Sequence, residues 1–282
     1  MGGLLTSKEL TETGHNHKLG KTALVLSAGG MFGSYQAGVW QVLSDVVQPD
    51  LVVGASIGSL NGWLIAGGCH PDDILQRWLT LEKAAHHRWR LPASLSDGMI
   101  DCGPLNEWIR GMYQEFQPKT EYALVTTQLR TLRPRLFRTP GITWKHLAAS
   151  CAVPLFLHQH RIDSVIHSDG GLIDPLPVWA AVDLGATRLI TVNLLKHRPL
   201  LIRAISNAGR LYSRQRKTIV DRLEVVDISP AEPLGTARDS IRWTRQNAER
   251  WIAMGQKDAR HAKHLVVECF GRLEGVAPDG CL

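Results

Sequence analysis

The sequence predicts a three-layer α/β/α sandwich with a mainly parallel central sheet. Three runs carry that reading: 22–27 (TALVLS), 50–54 (DLVVG) and 188–193 (RLITVN) are apolar without alternation, as strands buried on both faces are. Stretches of helical periodicity separate them, and alternating strands and helices build a parallel sheet covered on both sides. The chain has 282 residues, 44% of them hydrophobic. That is enough for one large core and argues against global disorder.

Each element follows from local chemistry. The strand over 22–27 runs into Ala28-Gly29-Gly30-Met31-Phe32-Gly33. A helix is expected from 34 to 47, with Val39, Trp40, Leu43 and Val47 on one face and Pro49 beyond its end. The strand over 50–54 leads into a helix over 57–66, stopped by Gly67-Gly68. Pro71 opens the next helix at a first-turn position, continuing to 84. Residues 89–103 look irregular, and 104–113 form a short helix. Strands over 122–127 and 135–138 make a hairpin around 132–134. Thr143 caps a helix that runs to 152, before Pro154. A strand over 165–167 enters Ser168-Asp169-Gly170-Gly171. A helix over 178–184 ends at Gly185, and the strand over 188–193 follows. A basic helix over 200–220, a strand over 224–228 and one long helix over 236–270 complete the reading.

Composition narrows the function classes. The net charge of +6 fits an anionic partner without specifying it. No nucleic-acid-binding motif accompanies the charge, so that partner class is not expected. The five cysteines are scattered and never spaced as CxxC. This speaks against a disulfide framework or zinc cluster and for a reducing, cytoplasmic setting. His15 and His17, His86 and His87, and His158 and His160 lack metal-site spacing, so no metal is expected. The first twenty residues carry no apolar signal region, although Gly2 and Thr6 match the short myristoylation pattern. Residues 51–69 carry no charge and imitate a membrane span, with Gly54, Gly58 and Gly62 at GxxxG spacing. Five glycines, two serines and Asn61 make a poor lipid-facing helix; strand, tight turn and buried helix fit better.

Three motifs carry chemistry. Gly54-Ala55-Ser56-Ile57-Gly58 is a G-x-S-x-G between a strand and a helix. A serine on so sharp a turn is exposed as a nucleophile, and glycines flank it because side chains there would clash. The helix N-terminus beside it favours developing negative charge. The Gly29-Gly30 turn can offer backbone N–H groups to an oxyanion. A dinucleotide-binding loop is the rival reading of that turn, but the oxyanion reading is favoured, because Ala28 stands at the fingerprint's first glycine and no acidic residue ends the second strand. Asp169-Gly170-Gly171 supplies a carboxylate that can act as base for the serine.

In this order the three motifs resemble the patatin-like phospholipase family. The small-residue block Ala149-Ser150-Cys151-Ala152-Val153-Pro154 and the run from Leu172 to Pro177 are similar too, although Asp174-Pro175 stands where asparagines are common. The resemblance covers residues 21–195. It implies a Ser–Asp dyad with Ser56 as nucleophile and Asp169 as base. It implies an oxyanion hole from the amides of Gly29, Gly30 and Met31, with Gly33, Gly54, Gly58, Gly170 and Gly171 in supporting places. Acyl-ester hydrolysis through an acyl-enzyme follows, with no cofactor and no metal. Residues 1–20 would be a leader, 21–195 the catalytic domain and 196–282 a mostly helical extension packed on it. Phe32 occupies a place where the family often has Arg or Lys, which points toward neutral lipids or other acyl esters as substrate.

Rival readings stay open at this stage. A Ser–His–Asp hydrolase would share G-x-S-x-G, with His158, His160, His167 or His197 as candidates and chain order favouring His197. A catalytically silent lipid-binding protein of the same fold is another. The basic helix could lie peripherally on an anionic membrane. Trp40, Trp63 and Trp78 are expected in the core, and Trp243 and Trp251 on one face of the last helix.

Overall fold

Alternate residues of each apolar strand face opposite sides of one sheet, and both sides are covered. The computed structural model describes residues 20–83, 89–92, 94, 96–196 and 223–270. The leader, His15, His17, His86, His87, His197 and the basic helix expected over 200–220 lie outside the described residues. The strands are β1 (Lys21–Leu26), β2 (Leu51–Ala55), β3 (Glu121–Gln128), β4 (Arg133–Arg138), β5 (His160–Ile162), β6 (Val165–Ser168), β7 (Ala186–Val192) and β8 (Glu224–Ile228). Their order is β5-β6-β3-β2-β1-β7-β8, with β4 paired to β3. The β3-β2-β1-β7-β8 core is parallel, and β4, β5 and β6 join antiparallel at one end.

The helices are α1 (Gly33–Leu43), α2 (Ile57–Ala66), α3 (Pro71–Leu79), α4 (Gly103–Glu115), α5 (Trp144–Ser150), α6 (Val178–Asp183), α7 (Ala237–Ile241) and α8 (Arg245–Phe270). Leu24, Leu26, Val52, Tyr122 and Leu124 point to the face packed by α1, α2, α3 and α8. Ala23, Val25, Leu51, Val53, Ala123 and Val125 point to the other, where Ala180 and Ala181 of α6 meet them. Small side chains on that second face let the short α6 approach closely.

Residues 51–69, the imitation of a membrane span, are β2, a tight turn and α2. Among the described residues no helix is long and apolar enough to cross a membrane.

Several expectations need correction. The long C-terminal helix is broken: α7 ends at Ile241 and α8 starts at Arg245. In the gap, the indole N–H of Trp243 donates to the Trp78 carbonyl at 2.9 Å, and the Thr244 hydroxyl accepts from the Asn247 amide at 3.1 Å. Those bonds reward a turn over continued helix. Trp243 and Trp251 therefore do not share a helix face. Trp40 is only half-buried, while Trp63 and Trp78 are in the core. The strand β5 was not anticipated, and it forms a hairpin with β6 through Asp163-Ser164, both at positive φ. The C-terminal helix α8 lies across α1, where the Tyr35 hydroxyl donates to Asp258 at 2.8 Å.

Candidate active site

Two strands bring the candidate nucleophile and base together from opposite directions. β2 runs parallel to β3 and its last pair is Ala55 with Val125. β6 runs antiparallel to β3 and its last pair is Ser168 with Thr127. β4 holds the other edge of β3 over all these positions, so β2 and β6 share one edge. One further step along either register reaches Thr126. The next residues of the two strands are Ser56 and Asp169. Their side chains meet there, the Ser56 hydroxyl donating to Oδ2 of Asp169 at 2.6 Å.

Ser56 sits at φ 52°, ψ −127° between β2 and α2. A non-glycine residue in this region carries strain of about 1–3 kcal/mol, which the surrounding structure must hold. It does so through named bonds. The Ser56 amide donates to the Ser150 hydroxyl at 3.0 Å, and that hydroxyl donates to the Val125 carbonyl at 2.8 Å. The Ser56 carbonyl accepts from the Ser59 amide and hydroxyl at 2.8 and 2.6 Å. The flanking glycines are required by close approach. A Cβ on Gly54 would lie 2.3 Å from the Gly58 carbonyl oxygen, and one on Gly58 2.4 Å from that of Leu26.

Asp169 is held as firmly. Its amide donates to the Ala152 carbonyl at 2.9 Å, and its carbonyl accepts from the Thr127 hydroxyl at 2.8 Å. Its Oδ1 accepts from the Gly171 amide at 2.7 Å, leaving Oδ2 for Ser56. The Gly170 amide donates to the Ser150 carbonyl at 3.0 Å. A Cβ on Gly170 would lie 2.0 Å from the Val125 oxygen, and one on Gly171 2.2 Å from the Ala28 Cβ. Burial raises the Asp169 carboxyl to about 6, against the lowering effect of the Ser56 and Gly171 hydrogen bonds. At neutral pH it is mostly ionised, yet basic enough to take a proton.

The glycine turn stands beside this pair. Leu26 pairs with Gly54, so two steps on Ala28 comes level with Ser56. The Ala28 amide donates to the Pro175 carbonyl at 2.8 Å, tying the turn to the segment after Asp169. Gly30 has φ 57°. Among the described residues, the amides of Gly29, Gly30 and Met31 donate to no protein acceptor. Gly33 opens α1 and packs on Ile57 and Trp78. α7 lies over the turn, with the Ser240 carbonyl at the Gly30 Cα. Phe32 turns inward, and its ring meets Trp251 edge-on at 4.9 Å.

No described histidine reaches Ser56. His167 shares a 2.8 Å hydrogen bond with the Thr126 hydroxyl, and His158 pairs with Asp97 at 3.2 Å. His160 is buried, and burial together with the neighbouring His158, Lys145 and Arg110 charges pushes it down to about 4. Among the described residues no three His, Cys, Asp or Glu side chains converge as a metal site.

The family model of the patatin-like phospholipases matches residues 24–182, from β1 through the turn at Asp169 to α6. The chain belongs to the patatin-like phospholipase family. It is 29% identical over 181 residues to the lysophospholipase nte1 of Aspergillus oryzae, a match covering 61% of this chain and 12% of that protein. An uncharacterized NTE family protein of Mycobacterium bovis is 27% identical over 185 residues, covering 62% of this chain and 49% of the other. The patatin-like chain thus spans about an eighth of the fungal relative and about half of the mycobacterial one. The crystal structure of VipD from Legionella pneumophila matches with a TM-score of 0.48 at 12% identity, over 86% of this chain and 66% of that one. The type III effector ExoU matches at 0.44 and 14% identity, over 87% and 53%.

Sequence reasoning missed three parts of this patatin-like site. The Ser150 hydroxyl lay inside a block singled out only for its small residues. Thr126 and Thr127 read as strand interior. Gln36 and Asn61 have no motif to mark them.

Proposed function

We propose that the protein is a serine acyl-ester hydrolase acting on lipid acyl esters through Ser56 and Asp169. The observation that carries this is the 2.6 Å hydrogen bond from the strained Ser56 to Asp169. Asp169 accepts the Ser56 proton as Oγ attacks the acyl carbonyl. The tetrahedral oxyanion is met by the amides of Gly29 and Gly30, with Met31 beside them. The Ser56 amide is engaged by Ser150, whereas the Gly29 and Gly30 amides donate to no described protein acceptor, which supports the turn as the source of these donors. Collapse expels the alcohol, which takes the proton from Asp169 and leaves an acyl-Ser56 ester. Water, deprotonated by Asp169, then attacks this ester, and the proton returns to Ser56 as the fatty acid leaves. The α2 N-terminus adds a favourable field at the reacting oxygen. No step calls for a metal or cofactor.

The printed name of the fungal relatives makes monoacyl phospholipids the first substrate class to try. Phe32, buried on Trp251, gives the glycine turn no cation for a phosphate. Monoacylglycerols and simple esters therefore belong in the same panel. The proposal extends to a cytoplasmic location and to peripheral contact with anionic lipid through the basic stretch 200–220. Vesicle co-sedimentation insensitive to salt and lipid charge would remove that last part.

The test is an ester series with wild type, Ser56→Ala, Asp169→Asn and His197→Ala, each checked for folding, together with fluorophosphonate labelling. Activity in wild type and His197→Ala, its loss in the other two, and a label on Ser56 support the dyad. An inactive wild type, or an active Ser56→Ala, overturns the hydrolase reading. Loss in His197→Ala with Asp169→Asn active transfers the site to a Ser–His–Asp mechanism.

A further inference from the structure

The glycine turn is tied at both ends, through Gln36 of α1 and Asn61 of α2, to the helix that follows the nucleophile. Ser27 and Gly33 bracket the turn Ala28–Phe32. The Ser27 carbonyl accepts from the Gln36 side-chain amide at 2.7 Å, and the Gly33 carbonyl accepts from the Asn61 side-chain amide at 2.9 Å. The same Asn61 nitrogen donates to Oε1 of Gln36 at 2.9 Å, and its Oδ1 accepts from the Trp78 indole at 3.0 Å. The Ser27 hydroxyl, on the same strand end, accepts from the Leu194 amide at 2.9 Å. Asn61 is on α2, five residues after Ser56. Gln36 is wholly buried, Asn61 2% and Trp78 3% exposed.

Two carboxamides in the core of a lipase-like domain are an expensive choice, because each must be stripped of water. Apolar side chains of similar volume fill such space at least as well. What the carboxamides add is direction. A hydrogen-bonded chain fixes two carbonyls, and so the peptide planes between them, far more tightly than apolar contact does. Those planes carry the Gly29 and Gly30 N–H groups. An oxyanion donor is effective only when aimed at where the charge develops, with little room for displacement.

We propose that Asn61 and Gln36 are positioning residues that hold the Gly29–Gly30 amides at a fixed place relative to the Ser56 hydroxyl. Neither touches the reacting atoms. The proposal rests on the oxyanion role given to that turn above.

The test uses Gln36→Met and Asn61→Leu in the full chain, which keep volume and remove direction. Steady-state rates on a soluble p-nitrophenyl ester are compared with inhibition by a trifluoromethyl ketone, which adds to serine as a tetrahedral oxyanion. A positioning role lowers kcat by about 10–100-fold, leaves KM within about twofold, and weakens the ketone by the same factor as kcat. A purely structural role moves thermal stability and leaves kcat and ketone affinity of the folded fraction in place, and that result overturns the proposal. A rise in KM at unchanged kcat overturns it as well. Should Asn61→Leu not fold, Trp78→Phe removes the indole donor to Asn61 together with the ring edge that packs on Gly33, with an expected kcat loss of about 3–10-fold. Unchanged kcat in a folded Trp78→Phe then counts against the proposal. A wild type without activity on any ester overturns the hydrolase reading itself. An active wild type with unaffected Gln36 and Asn61 variants leaves that reading standing and removes only this one.

Discussion

The hydroxyl of Ser56 and the carboxylate of Asp169 are 2.6 Å apart across 113 residues of chain, because the strands that lead into them end their pairing with β3 on either side of Thr126. Ser56→Ala and Asp169→Asn should therefore each lower kcat by about 10³-fold or more without loss of the fold. Burst kinetics and far-ultraviolet circular dichroism on the same samples check both halves of that statement.

The pH profile follows from the burial of Asp169. Its carboxyl is raised to about 6, so kcat/KM should climb with pH through a midpoint near 6, where the base becomes ionised. Stability should run the other way. The folded-state value lies above the ordinary 3.8, so the contribution of the protonated carboxyl is complete below about 4 and is lost as pH rises through about 6. The loss is on the order of 3 kcal/mol. Denaturant titrations at pH 4.5 and 8 should show it, and Asp169→Asn should flatten the difference.

Ser150→Ala removes the hydroxyl that accepts from the Ser56 amide and donates to Val125. Two buried backbone groups then lack partners, at a cost of about 1–3 kcal/mol each. The strained turn at Ser56 should relax, with kcat falling by more than KM changes. Ser150→Thr, which keeps the hydroxyl, should restore part of the rate.

Glycines divide by what surrounds them. Gly58→Ala and Gly170→Ala would push a methyl group to 2.4 and 2.0 Å from a backbone oxygen, and should cost several kcal/mol, on the order of a severe core substitution. Gly111, inside α4, has nothing within 4 Å of a Cβ. Gly111→Ala should stabilise by about 0.5–1 kcal/mol. Thermal melts of the three variants give the ordering.

Phe32→Arg tests whether a cation can simply be restored to the glycine turn. The ring is buried edge-on against Trp251, so arginine would have to bury its charge or leave the pocket empty. The expected outcome is a loss of about 3 kcal/mol or more, with no gain in preference for phosphate-bearing esters over neutral ones.

Local chemistry was legible in the sequence and long-range pairing was not. A glycine-flanked serine between an apolar strand and a helix announces its elbow within five residues. Burial on both faces shows in TALVLS and DLVVG because nothing polar interrupts them. By contrast, the register that brings Asp169 to Ser56 depends on β6 approaching β3 in reverse, and no spacing along the chain encodes a direction. β5 is three residues long, too short for alternation to show. The break between α7 and α8 is set by the bond from Trp243 to Trp78, two residues with 164 others between them. Asn61 was noticed only as a polar residue in an apolar stretch, since its partners come from α1, α3 and the glycine turn.

Meeting head-on at Thr126 also sets a clock. β2 can dock on β3 through a connection of 65 residues, but Asp169 arrives only when the chain after α5 has turned back along the same edge. Contacts between distant segments close slowly in folding. Recovery of hydrolysis after dilution from denaturant would therefore trail recovery of helical signal, and the delay between them would time the last strand into place.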